Sequence, residues 1–221
     1  MPPLRLLCLH GSGTNVDIFQ SQIGAISREL ARDDTAHLHF VEGEVETAAG
    51  PGIEGFYEGP YLSFHAFPPT SNEHDEATIQ AAYEMLYTIM EEEGPFDGIL
   101  GYSHGGTLAY GFLAQHLGRF PYDPPFRCAI FFNAPPPFHA VEGKMVIRTE
   151  LHKIPLIMPT LHVTSKSDYL YQESLELYSW CDVHQAVLVL HEKGHAIPND
   201  PKSARSIGDA IRKLGMRAMA G

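Results

Sequence analysis

The chain is poor in cysteine. Its 221 residues hold three, Cys8, Cys128 and Cys181. They are odd in number, far apart and without a C-x-x-C pair, which excludes a disulfide framework and a zinc knuckle. Cys8 and Cys128 lie inside apolar runs and read as buried packing residues, and free thiols point to a reducing, cytoplasmic compartment. Positive charge is scarce as well: 15 Lys and Arg against 27 Asp and Glu leave a net charge of −12. So acidic a chain repels phosphate backbones, and nucleic acid is not an expected partner. No apolar run approaches the ~20 residues of a membrane helix. The first apolar stretch, Leu4 to Leu9, is too short for a signal peptide and lacks a small-residue cleavage site. Neither a membrane nor a leader is therefore expected. Repeats and low-complexity tracts are missing too.

What is present is an ordinary globular balance, 44% hydrophobic with 12 Phe and 10 Tyr. A chain of this length buries roughly 70% of its unfolded surface, and one domain over residues 1–221 is expected. Short apolar runs alternate with stretches of helical spacing. Strands are expected at Leu4–Leu9, His37–Val41, Phe96–Tyr102, Arg127–Phe132, Thr160–Ser165 and Ala186–Leu190. Helices are expected at Asp17–Arg32, Glu76–Glu93, Thr107–Leu117, Glu173–Trp180 and Pro201–Leu214. This order implies an α/β fold, a mostly parallel central sheet with helices on both faces. Between Glu42 and Asn72 periodicity stops, and Gly and Pro mix with Phe56, Tyr57, Tyr61 and Phe64. A linker is polar. This segment is aromatic, so it reads as a lid-like insertion at about residues 42–75, with those four rings as candidates to line a tunnel for an apolar substrate.

In a parallel sheet the ligand sits at the carboxyl ends of the strands, so the residues that follow each strand carry the argument. After the strand ending at Tyr102 comes Gly101-Tyr102-Ser103-His104-Gly105, a G-x-S-x-G turn between strand and helix. The chain reverses there within a residue and holds the Ser103 hydroxyl at the tip, with glycines where a Cβ would collide. The following helix aims its N–H groups at the same point. A serine hydroxyl is a poor nucleophile and needs a base, oriented in turn by an acid. His195 follows the strand ending at Leu190, on a loop hinged at Gly194. Asp168 is the first carboxylate after the strand Thr160–Ser165. The order Ser103, Asp168, His195 is that of α/β-hydrolases. His191 reads as a structural neighbour, and Asp182 is a rival acid that follows a helix rather than a strand. An oxyanion needs two donors. The backbone N–H of His104 is one. The N–H of Ser12, in the loop His10-Gly11-Ser12-Gly13 after the first strand, is the other, with His10 as a buttress of that loop.

Together Leu9–Asn15, Gly101–Gly106, Pro159–Val163 with Asp168, and His191–Pro198 resemble the fungal FSH1-type serine hydrolases, a family that includes the human OVCA2-like hydrolases. The resemblance runs from Leu4 to about Leu214. The segment Gly50–Tyr61 is similar to members from fungal polyketide gene clusters, which act as thioesterases that release or edit a chain held on the acyl carrier protein of a polyketide synthase. The resemblance implies an α/β-hydrolase fold, a triad at Ser103, Asp168 and His195, and cleavage of an acyl thioester or ester. Tyr169-Leu170-Tyr171 departs from the Pro and second Ser that many relatives carry after the acid. Two-step acyl transfer needs no metal and no organic cofactor. Docking of an acidic carrier needs a basic patch, for which Lys144, Arg148 and Lys153 are the candidates. A carboxylesterase acting on free short-chain esters is the alternative, with the same triad. A non-catalytic binding protein is opposed by the intact Ser, His and Asp set. A metal site at His191 and His195 needs a helix that Gly194 and Pro198 oppose.

Overall fold

The computed structural model describes residues 2–69, 72–142, 144–154 and 156–220; Thr70 and Ser71 of the expected insertion lie outside them. The six short segments expected as strands become a parallel sheet. These are β1 (Leu4–Leu9), β2 (Ala36–Val41), β5 (Gly98–Tyr102), β6 (Cys128–Phe132), β9 (Thr160–Ser165) and β10 (Ala186–His191). They stand in the order β10-β9-β6-β5-β1-β2, every neighbouring pair parallel. β5, β6 and β9 are covered on both faces and buried at every position; β5 and β6 carry no polar face, whereas β9 buries Thr160, His162 and Thr164 as well.

Helices cover both faces. On one side lie α1 (Val16–Ala31) and α5 (Pro201–Ala220), packed on Leu6, Cys8, Leu100, Ile130 and Val163 through Phe19, Ile23, Ile207 and Ile211. On the other lie α2 (Asn72–Glu93), α3 (His104–Arg119) and α4 (Tyr171–Ser179), packed on Leu7, Leu9, Ile99 and Phe131 through Leu86, Leu108, Phe112 and Leu177. Alternate residues of β1 thus feed the two cores, as a pleated strand requires. Asn15 caps α1 through its Oδ1, which accepts from Ile18 N–H at 2.9 Å. Cys8, Cys128 and Cys181 are all buried and free. Among the described residues no helix is long and apolar enough to cross a membrane.

The expected strands and helices are all present, Leu4–Leu9 and Thr160–Ser165 with the expected bounds and the others with shifted ends. The helix expected from Glu76 starts at Asn72, and the one expected from Thr107 starts at His104, directly after the turn. A hairpin of β7 (Phe138–Val141) and β8 (Lys144–Ile147), followed by a 3-10 turn at Thr149–Lys153, was not expected from sequence.

The segment after β2 carries only a two-residue ladder, β3 (Val45–Glu46) against β4 (Leu62–Ser63). It is stitched onto the loop after β1: Gly13 N–H donates to Leu62 O at 2.9 Å and Leu62 N–H to Thr14 O at 2.7 Å. Gly13 holds φ +72°, and a Cβ on it would lie 2.2 Å from Gly50 N, so only glycine lets the two loops meet so closely. The segment therefore lies over the carboxyl edge of β1, where the sheet's strand order reverses between β1 and β5. That is the crevice in which ligands of such sheets bind.

Candidate active site

The turn between β5 and α3 places Ser103 at φ +51°, ψ −118°, outside the regions an L-residue prefers. The packing around it enforces this. A Cβ on Gly105 would sit 2.4 Å from Leu9 O, and one on Gly101 2.4 Å from Gly106 Cα. The helix N-terminus is thus pressed onto β1 and β5 with no room to relax. Ser103 does not cap the helix it begins, which leaves its hydroxyl to other partners.

His195 Nε2 lies 2.9 Å from Ser103 Oγ, and its Nδ1 lies 2.9 and 3.0 Å from the two oxygens of Asp168. A carboxylate accepts only, so Nδ1 carries the proton and Nε2 is left to accept from the serine hydroxyl. Burial works to raise the Asp168 pKa. Hydrogen bonds from His195, Leu170 N–H and Asn133 outweigh it and hold the carboxyl below its ordinary range. The imidazole is fixed from several sides. Tyr102 OH donates to His195 O at 2.8 Å, the Tyr169 ring lies 4.7 Å away, and Gly194 N–H donates to Ser165 Oγ at 3.2 Å. An imidazole so held can take a proton from the serine and return it to a leaving group.

Asn133 was missed in the sequence. It follows β6 with φ +48°, is fully buried, and its Nδ2 donates to Asp168 Oδ2 and to Gly194 O at 3.1 Å. It thereby ties the acid loop to the histidine loop. Its position directly after a central strand was the available signal, the same one that singles out Ser103, Asp168 and His195.

Gly11 abuts the serine: a Cβ on it would lie 3.6 Å from Ser103 Cβ. Ser12 and His104 line the same cavity as Ser103, and neither backbone N–H has an acceptor among the described residues. His10 does buttress this loop. It is fully buried, its Nδ1 bonds Gly11 O at 2.8 Å, and its Nε2 accepts from Gly43 N–H at 3.0 Å. The His104 imidazole packs 4.0 Å from the His65 ring and bonds Ser63 Oγ at 3.2 Å. His191 ends β10 and closes its own turn by accepting from Lys193 N–H at 3.1 Å. Asp182 caps a turn before β10 through His184 N–H, at the amino end of the sheet.

Ser103 opens into a cavity of about 430 Å³ with mostly apolar walls, among them Ile53, Phe67, Pro136, Phe138, Ile147 and Leu170. The four aromatic residues expected to line it do not. Phe56 is 82% exposed, and Phe64 is buried against His10, 4.5 Å between ring centroids. Tyr57 and Tyr61 bond to Ser21 and to the Tyr57 carbonyl instead. The insertion contributes Gly50, Pro51, Ile53 and Phe67, and the unexpected hairpin contributes Phe138, Met145 and Ile147. Composition places rings in a segment; only the fold says which of them turn inward. The basic run is likewise corrected: Arg148 is paired with Glu76 at 3.0 Å and Glu150 at 2.8 Å, so it presents no free charge between Lys144 and Lys153.

Burial holds four histidines neutral. His10 and His65 are lowered to about 4, His162 to about 3, and His104 well below its ordinary value, desolvation being the largest cause in each. In the unfolded chain they take up protons near pH 6.5. Their contribution to stability is therefore whole above pH 6.5 and is lost as the pH falls toward 4. Each such histidine costs about 1.4 kcal/mol per pH unit over the range in which only the unfolded chain takes up its proton, a sizeable share of a domain's roughly 5–15 kcal/mol. Urea unfolding at pH 7, 6 and 5 is expected to show a steep fall in midpoint; equal midpoints at the three values would contradict it.

A profile of the family described as serine hydrolase (FSH1) matches residues 1–207. Hydrolase phiM of Talaromyces stipitatus is 44% identical over 229 aligned residues, covering 97% of this chain and 88% of that protein. Esterase FPY3 of Fusarium mangiferae is 34% identical over 225, covering 99% and 100%. Among solved structures, a carboxylesterase from Mesorhizobium loti superposes with a TM-score of 0.62 at 18% identity, over 94% of this chain and 88% of that one. SOBER1 of Arabidopsis thaliana superposes with a TM-score of 0.61 at 12% identity, over 96% and 99%. At such identities the likeness speaks to the fold, that of the α/β-hydrolases. With the profile and the relatives both aligned along nearly the full length, the chain belongs to the FSH1 serine hydrolase family.

Proposed function

We propose that the protein hydrolyses acyl thioesters or esters through a Ser103–His195–Asp168 triad, and that its substrate is a polyketide chain carried on an acyl carrier protein. The observation that carries the reading is the hydrogen-bonded line from Asp168 through His195 to Ser103, ending at the mouth of an apolar cavity. Ser103 Oγ attacks the acyl carbonyl as its proton passes to His195 Nε2. Asp168 stabilises the imidazolium. The N–H groups of Ser12 and His104 receive the oxyanion. The imidazolium then protonates the departing thiol or alcohol. Water attacks the acyl-enzyme, giving its proton to His195, and the acid leaves with Ser103 restored.

Hydrolysis of free esters is the second reading, favoured by the pairing of Arg148 with Glu76 and Glu150, which removes the middle charge of the expected carrier-docking run. The relative named esterase FPY3 agrees with either. One comparison separates them: the same acyl group on a phosphopantetheinylated carrier protein, on N-acetylcysteamine and as an ethyl ester. A kcat/KM at least tenfold higher on the carrier than on the small thioester is the expected result. Equal values on carrier and small thioester, with the ethyl ester cleaved as well, would place the protein among free-ester hydrolases.

A further inference from the structure

The cavity wall is apolar, and most of its polar side chains are already engaged. Thr14 Oγ1 donates to Gly11 O at 2.6 Å, Thr107 Oγ1 to Pro135 O at 3.0 Å, and Tyr102 OH to His195 O at 2.8 Å. Besides the buried, unpartnered Nε2 of His104, two oxygen acceptors stand apart. Glu173 is the one Asp, Glu, Lys or Arg among the lining residues. It is partly buried and has no hydrogen-bond or ion-pair partner among the described residues. Gln22, on α1, also lines the cavity, and its Oε1 is buried with no partner. Covering an acceptor from water without giving it a donor costs free energy, more for a charged group than for a neutral one. Neither the carboxylate nor the amide oxygen has anything to donate. Glu173 lies in the first turn of α4, one turn beyond Leu170, whose N–H is bonded to Asp168. It therefore lines the wall one helical turn away from the residue that bonds the acid.

We infer that Glu173, supported by Gln22, selects acyl chains that bear a hydroxyl group along their length, and rejects chains that end in a carboxylate. This rests on the acyl-hydrolase reading above. A hydroxyl can donate to the Glu173 carboxylate, whereas a second carboxylate brought beside Glu173 is repelled by its like charge. A saturated, unsubstituted chain fits the walls but leaves both acceptors unmatched.

The test uses the full-length protein with N-acetylcysteamine thioesters of hexanoate, of a set of hydroxyhexanoate positional isomers, and of adipate as its half-thioester. The wild type is expected to favour its best hydroxy isomer over hexanoyl by about tenfold or more in kcat/KM, as one hydrogen bond to a charged group allows. Adipoyl is expected to fall at least tenfold below hexanoyl. In Glu173→Leu the hydroxyl preference collapses toward unity and adipoyl recovers. In Glu173→Gln adipoyl recovers while part of the hydroxyl preference remains, because the amide oxygen still accepts. Ratios unchanged in both variants, or a wild type indifferent to the hydroxyl, would overturn the inference. Labelling of Ser103 by a fluorophosphonate tells the two failures apart. A labelled enzyme with unchanged ratios sinks the selectivity alone, and a folded, unlabelled enzyme that cleaves none of the thioesters sinks the acyl-hydrolase reading with it.

Discussion

Replacing Ser103 with alanine is expected to lower kcat for ester or thioester hydrolysis by about 10⁶-fold, with KM little changed. Ser103 Oγ is the atom that lies 2.9 Å from the His195 imidazole, and no other hydroxyl of the cavity wall is recorded within hydrogen-bond reach of His195 Nε2 among the described residues. Without it the cavity and the proposed N–H donors of Ser12 and His104 remain, so under the proposed mechanism substrate still binds. What is lost is the covalent step, and water held by the same imidazole replaces it poorly. The packing at the elbow does not depend on the hydroxyl, since Gly101 and Gly105 set the turn, and the variant is expected to fold with an unfolding midpoint near that of the wild type. A loss smaller than about a hundredfold in a folded variant would mean that another side chain makes the covalent bond.

Asp168→Asn is expected to cost about 10⁴ in kcat near neutral pH. The asparagine occupies the same volume, but its amide nitrogen donates. Facing His195 Nδ1, it favours the tautomer with the proton on Nε2, which cannot accept from Ser103. Asn133→Ala is a milder test of the same geometry. It removes the donor to Asp168 and to the Gly194 carbonyl but leaves the carboxylate in place, as the bond from Leu170 N–H at 2.9 Å persists. A loss of roughly 10- to 100-fold is expected. Because Asn133 helps hold the Asp168 carboxyl below its ordinary range, the variant's kcat/KM is also expected to decline earlier as the pH is lowered. An Asn133→Ala loss as large as that of Asp168→Asn would make Asn133 more than a positioning residue. Equal activity of Asp168→Asn and wild type would remove Asp168 from the mechanism.

The sequence carries the sheet and the line of residues at its carboxyl edge because both are local. A strand covered on both faces must be an unbroken apolar run, as Cys128–Phe132 is, and the turn at Ser103 must have glycine on either side, where a Cβ would meet backbone atoms. Asp168 and His195 stand out because each lies on the loop after a strand of the sheet. The reading stops where side-chain direction or distant pairing decides. Phe56 and Phe67 look alike in a Gly- and Pro-rich segment; one ends in water and the other in the cavity wall. Arg148 looks free until the fold brings Glu76 to it from α2. The hairpin Phe138–Ile147 is too short and too exposed on its second strand, where Lys144, Met145 and Val146 are all exposed whichever face they take, for alternation to mark it. Asn133 was legible by the rule that found the others, since it directly follows the strand Cys128–Phe132.

The most direct test of the central claim, an activated Ser103, is intact-mass measurement after exposure to a fluorophosphonate, on the wild type and on Ser103→Ala. The account predicts a single adduct on the wild type and none on the variant. An adduct that persists on Ser103→Ala, or a folded wild type that takes up none, would contradict it.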